Sequence, residues 1–238
     1  LVWDAATGAC EFEAVFSKSA IEAGFTIRNF VGARPVVHFY SDCSEELAKV
    51  GREMKWLHPT STPHRKQSHG RTEAVMRIIE EGARAAIYQG GARHAWWSYA
   101  GQYYARARTF FHVDPRLETT AYQRMFGEGF KGLMVPFFAL VTYKRRPPDI
   151  KNSDKFEPRG EEGLFVGWHL NAGYKFNNDY YVIPLEPFLD DIEAKPEIIR
   201  TKDIHLIDGP FTFPLREAII RATAEGLAGR VHHETDQV

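Results

Sequence analysis

The sequence predicts an α/β chain: a mixed sheet flanked by helices, then a small β-barrel-like module and a C-terminal helix. Three observations lead there. Up to about residue 110, apolar runs of strand length alternate with segments of helical periodicity. Beyond that point, short apolar runs are separated by turn residues, the pattern of a small barrel or open β-domain. Finally, Pro214 opens a stretch in which Leu215, Ile219, Ala222 and Leu227 share one helical face, ending near Gly229. The 238 residues suffice for one substantial core and a smaller module. The division expected is 1–110, a linker over 111–131, a β-rich domain over 132–209, and a helix and tail over 210–238.

Each element has a local cause. Residues 1–3 form an apolar strand end, Asp4 to Gly8 a turn, and Cys10, Phe12, Ala14 and Phe16 alternate with Glu11 and Glu13, which predicts an antiparallel hairpin. Ser17 is positioned to cap a helix over 18–30, with Gly32 to end it. The run Val36-Val37-His38-Phe39-Tyr40 reads as a buried strand that delivers Ser41 and Asp42 at its carboxyl end. It is followed by a helix marked by Leu47, Val50, Gly51 and Met54. Pro59 and Pro63 punctuate a loop before Ser68, a candidate cap for a helix that buries Val75, Ile79, Gly82, Ala83 and Ala86. A further helix carries Trp96, Ala100, Tyr103 and Ala107, and strands are expected over 133–143, 164–170, 180–185 and 198–206.

Composition narrows the class. With 44% hydrophobic and 26% charged residues the chain has the make-up of a globular protein. No apolar run is long enough to span a bilayer, so no membrane partner is expected. Two cysteines, Cys10 and Cys43, are too few for a disulfide framework. They favour a reducing compartment and read as buried thiols. A net charge of −1 calls for no anionic partner, but residues 61–108 hold eight basic residues against three acids. Arg65, Lys66, Arg71 and Arg77 in that stretch, with His64, His69 and His94, are candidate phosphate contacts; a solvated helix face is the alternative. Trp96, Trp97, Tyr103 and Tyr104 have the rings to stack on bases, although helical spacing favours a core role. Lys144, Arg145 and Arg146 make a small basic tip on the second module.

Three carboxylates stand in three contexts: Asp4 and Asp42 at strand ends, Glu73 in a helix. Acids gathered this way hold Mg2+ or Mn2+ through oxygen ligands. Two such ions about 4 Å apart stabilise the attacking and leaving oxygens of phosphoryl transfer on nucleic acid. Each acid also has a plain structural reading. Asp4 starts a turn with Thr7 and Gly8, Asp42 caps the helix after Ser44, and Glu73 pairs with Arg77 one helical turn on.

The runs YSDCSEEL, TSTPHRKQSHGRTEAVMR, FKGLMVPFFALVTYK and KFEPRGEEGLFVGWHL resemble the integrase region of copia-type long-terminal-repeat retrotransposons over roughly residues 1–208. The resemblance implies a ribonuclease H-like catalytic core followed by the small β-rich segment of the polyprotein. It makes Asp4, in VWDAATG, the first catalytic and metal-holding aspartate, Asp42 the second, and Glu73 the glutamate. It further implies divalent-metal-dependent 3′-end processing and strand transfer, DNA ends and target DNA as partners, and self-association. The setting it implies is the nucleus or a cytoplasmic virus-like particle. The sequence departs from the family pattern at Cys43-Ser44, in place of Asn-Gly, at His69, in place of Asn, and at Ala74, in place of Arg. A catalytically decayed descendant that binds nucleic acid or protein therefore stands beside the active enzyme as an alternative.

Overall fold

A computed structural model describes residues 1–60, 70–144 and 159–224. The chain divides into two compact units. The first comprises Leu1–Gly82, Gly101–Leu133 and His169–Asn177; the second comprises Ala83–Ala100, Met134–Trp168 and Asn178–Val238. Among the described residues no helix is long and apolar enough to cross a membrane.

In the first unit the predicted hairpin is present: β1 (Val2–Trp3) pairs antiparallel with β2 (Cys10–Glu11), Trp3 opposite Cys10. Helix α1 (Ala20–Val31) follows. Its cap is Ser19, not Ser17: the Ser19 hydroxyl accepts the Glu22 N–H at 3.2 Å. The Glu22 carboxylate in turn accepts the Ser17 N–H at 2.9 Å, two residues before the cap, and so ties the incoming chain to the first turn of the helix. Gly32 ends the helix as predicted, its N–H donating to the Arg28 carbonyl. Helix α1 buries Gly24, Ile27 and Phe30 and packs on α2 (Glu45–Glu53).

Residues 36–40 are not a strand of any sheet. Val37 is 74% exposed and Tyr40 46% exposed. Neither β1 nor β2 offers a free edge long enough to receive the run, because each is two residues long and already paired. The segment leans instead on residues 57–60: the Phe39 N–H donates to the Leu57 carbonyl at 2.9 Å, and Ser41 makes an isolated parallel bridge with Thr60. Among the described residues of 1–110, the expected mixed sheet is thereby reduced to the β1–β2 pair and this bridge. The α/β character of the chain holds.

Helix α3 (Gly70–Gly90) runs for 21 residues, its candidate cap Ser68 lying outside the described residues. A single-turn 3₁₀ helix (His94–Trp96) leads into α4 (Trp97–Phe111). Residues 111–131, expected as a linker, carry β3 (Val113–Asp114), its antiparallel partner β4 (Thr119–Thr120) and α5 (Ala121–Phe126), capped by the Thr120 hydroxyl. Ile79 of α3 and Ala105 of α4 meet Cys10 in a core that Leu1, Trp3, Phe12, Val75 and Tyr104 flank. Gly82 is required there, since a Cβ would lie 2.1 Å from the Tyr104 ring. A second apolar knot joins Phe110, stacked on Phe130 at 3.8 Å, with Tyr122 edge-on at 5.4 Å.

The second unit is built on a five-stranded sheet of β5 (Leu140–Lys144), β6 (Gly160–Asn171), β7 (Lys175–Pro184), β8 (Ile199–Thr201) and β9 (Ile204–Leu206), in the order β8-β7-β6-β5-β9. The predicted strand over 198–206 is thus two strands, broken at Lys202-Asp203. These two residues join opposite edges of the sheet. Three Cα steps reach at most about 11 Å, whereas five flat strands span about 19 Å, so the sheet is curled. Central β6 buries every residue from Gly163 to Trp168, and Gly163 has no room for a Cβ beside Val182 and Tyr143. A short helix α6 (Glu186–Asp190) buries Phe188, and α7 (Pro214–Ala224) begins at the predicted proline and buries Leu215. Leu227 and Gly229 lie outside the described residues.

Candidate functional site

Asp4 occupies the turn that closes the β1–β2 hairpin, and its own turn uses both carboxylate oxygens. Oδ1 accepts the Ala6 N–H at 3.0 Å and Oδ2 accepts the Thr7 hydroxyl at 2.7 Å. The Asp4 N–H donates to the Ala9 carbonyl at 2.8 Å, and the Gly8 N–H returns to the Asp4 carbonyl at 2.7 Å. From α5, Arg124 Nε donates to the Thr7 carbonyl at 2.6 Å, so an arginine secures the turn. A second arginine lies within electrostatic reach: burial lowers the Arg34 pKa, and the Asp4 charge opposes that shift.

Asp42 is exposed and accepts the Ser44 N–H on Oδ1 at 3.2 Å, ahead of α2. Ser41 beside it is held at 2.8 Å from His58 Nε2, and the His58 ring stacks on Phe39 at 4.8 Å. Glu73 is exposed in the first turn of α3, and among the described residues no ion pair joins it to Arg77. Arg71 and Arg77 are exposed on α3, whereas His64, Arg65, Lys66 and His69 lie outside the described residues, as do Arg145 and Arg146. Among the described residues, no three His, Cys, Asp or Glu side chains form a group that could hold a metal ion. Asp4, Asp42 and Glu73 are therefore not gathered into such a group among the described residues. Two of the acids are engaged by local backbone and hydroxyl donors: Asp4 in the turn its sequence context allows, and Asp42 in a two-residue turn onto Ser44, which is itself the N-cap of α2 and makes no side-chain cap bond.

The aromatic candidates divide. Trp96 is buried against Phe138 at 5.4 Å, Tyr104 packs over Gly82, and Trp97 and Tyr99 are exposed. His94 is exposed at the start of the 3₁₀ helix. Of the two thiols expected to be buried, Cys10 is and Cys43 is exposed.

Sequence reasoning missed a buried charge pair. Glu11, read as the outward face of an alternating strand, is buried and paired with Arg106 of α4 at 2.9 Å. The alternation fails because β2 is only two residues long, and Phe16 lies beyond it in full solvent. Burial pushes the Glu11 carboxyl above its ordinary range despite the adjacent guanidinium. The same burial drives the Tyr174 hydroxyl well up and the Cys10 thiol to about 11. An arginine two positions before another, inside an otherwise apolar helix, was the available signal.

No protein-family model matches the sequence, and no curated protein matches it. Solved structures overlap it loosely. The catalytic core domain of BIV integrase superposes with a TM-score of 0.40 at 17% identity, over 51% of this chain and 80% of that one. A simian T-cell lymphotropic virus intasome in complex with PP2A regulatory subunit B56 gamma also gives a TM-score of 0.40, at 12% identity over 87% of this chain and 74% of that one. Overlap at this level decides neither fold nor activity.

Proposed function

We propose that this chain is an integrase-derived segment of a copia-type retrotransposon that works on DNA as a nucleic-acid-binding module. The observation that carries the reading is the ordered set of motifs from VWDAATG through YSDCSEEL and HGRTE to FVGWHL, which includes an acid matching each of the three in the family pattern, with the second and third slightly closer together than that pattern has them. The described geometry favours the non-catalytic form: each Asp4 carboxylate oxygen already accepts a bond from its own turn, Asp42 and Glu73 are exposed, and among the described residues the three acids form no group able to hold a metal ion. The exposed arginines of α3, Arg71 and Arg77, supply phosphate contacts in this reading. In this reading the five-stranded sheet corresponds to the small β-rich module that follows the core in such polyproteins.

A second reading, metal-dependent 3′-end processing and strand transfer by an oligomer, is favoured by one observation, the retention of all three acids despite changed neighbours. Short duplex oligonucleotides separate the two. In buffer with magnesium or manganese, the binding module shifts the duplex without producing joined strands. Strand-transfer product that disappears in Asp42→Asn would install the second reading. Failure to bind duplex or single-stranded DNA at 50 mM salt would remove both.

A further inference from the structure

We propose that the turn between β6 and β7 is a strap that holds the Asp4-bearing hairpin in place, with Tyr174 as its positioning residue. Residues 169–177 belong to the first unit, although the rest of both strands belongs to the second. At the tip, Gly173 and Tyr174 have φ of 80° and 66°. A bulky residue keeps left-handed backbone only where its surroundings hold it there. Those surroundings are specific. The Gly173 N–H donates to the Asn29 carbonyl at 2.7 Å, near the end of α1. Gly32 faces Gly173 so closely that a Cβ on Gly32 would lie 2.3 Å from the Gly173 Cα. The Tyr174 side chain is buried, edge-on to Phe30 at 5.2 Å and 5.8 Å from the Phe110 ring. Its hydroxyl donates to the Cys10 carbonyl at 2.8 Å.

That last bond gives the strap its consequence. Cys10 lies opposite Trp3 in the two-residue ladder, and Trp3 precedes Asp4. So short a ladder cannot fix its own position. It is fixed from outside: by Thr109 of α4, whose hydroxyl lies 3.0 Å from the Cys10 nitrogen and 3.2 Å from its carbonyl oxygen, by Arg106 of the same helix on Glu11, by Arg124 on the Thr7 carbonyl, and by Tyr174, whose hydroxyl is the shorter contact to the Cys10 carbonyl. The Asp4 turn is therefore tied to residues 170 positions away in sequence. This inference does not depend on the DNA reading.

The test is amide hydrogen exchange on the full chain. Tyr174→Phe keeps the ring and removes the hydroxyl; exchange across residues 2–11 is expected to accelerate about tenfold, with amides of α2 and β5 unchanged. Gly32→Ala, which touches neither β1 nor β2, is expected to wedge the turn away and produce the same acceleration. Uniform acceleration throughout the chain in both variants would make Tyr174 an ordinary core residue. Unchanged exchange at 2–11 in Tyr174→Phe, or a response to Gly32→Ala confined to α1, would overturn the strap.

Discussion

Replacing Arg106 by Met tests the buried charge pair and has a worked sign. At 2.9 Å and an effective dielectric of about 20, the Coulomb attraction between Arg106 and Glu11 is about 6 kcal/mol, against several kcal/mol to desolvate each ion. The net value of the intact pair is therefore small. Breaking it is costly, because Glu11 stays buried with no cation, and the expected loss is about 3–5 kcal/mol at pH 7. The pH dependence follows from linkage. Glu11 already binds its proton more tightly in the fold than at its ordinary value of 4.5, and loss of Arg106 tightens it further. A carboxyl whose folded pKa is raised contributes stability below the unfolded value that is lost as pH rises through the folded one. The deficit of Arg106→Met relative to the native chain should thus be slight at pH 4, where both folds hold the proton, and grow only once the pH rises above the native folded pKa of Glu11, being larger at pH 8 than at pH 4. Urea unfolding at four pH values measures it, and Arg106→Met combined with Glu11→Gln should recover much of the loss and flatten the curve. A pH-independent deficit, or a double variant no better than the single, would refute the reasoning.

Three further outcomes are expected. In the native chain a thiol reagent should label Cys43 and spare Cys10, whose thiol is buried and pushed up to about 11; rapid labelling at both positions, read by mass spectrometry, would contradict the packing around β2. Gly82→Ala should cost at least about 1–3 kcal/mol in urea unfolding, because its Cβ would fall 2.1 Å from the Tyr104 ring, whereas Gly70→Ala, with nothing within 4 Å, should not destabilise. Replacing Arg71 and Arg77 together by Gln should lower duplex DNA affinity and shallow the slope of log affinity against log salt by about two; an unchanged slope would move the DNA contact off α3.

Much of the architecture was legible in the chain itself because it depends on near neighbours in sequence. Helical periodicity found α1, α2, α3, α4 and α7, and Gly32 and Pro214 mark termini because their backbone preferences are local. The apolar runs of β6 and β7 announced strands for the same reason. Whether a run is a strand at all is different, because a strand needs a partner edge. Residues 36–40 have the composition of a buried strand and no ladder, and residues 198–206 have the composition of one strand and form two, on opposite edges of a curled sheet. The carboxylates follow the same division. The sequence determined that Asp4 starts a turn and Asp42 precedes a helix, and those local roles are what each side chain performs. Only the tertiary structure decided that Glu11 is buried against Arg106, that Tyr174 reaches the Cys10 carbonyl, and that Asp4 lies near arginines, not in an acidic cluster. The reason is physical: a side chain's desolvation and its charge partners come from residues tens to more than a hundred positions away, and no local pattern encodes that distance.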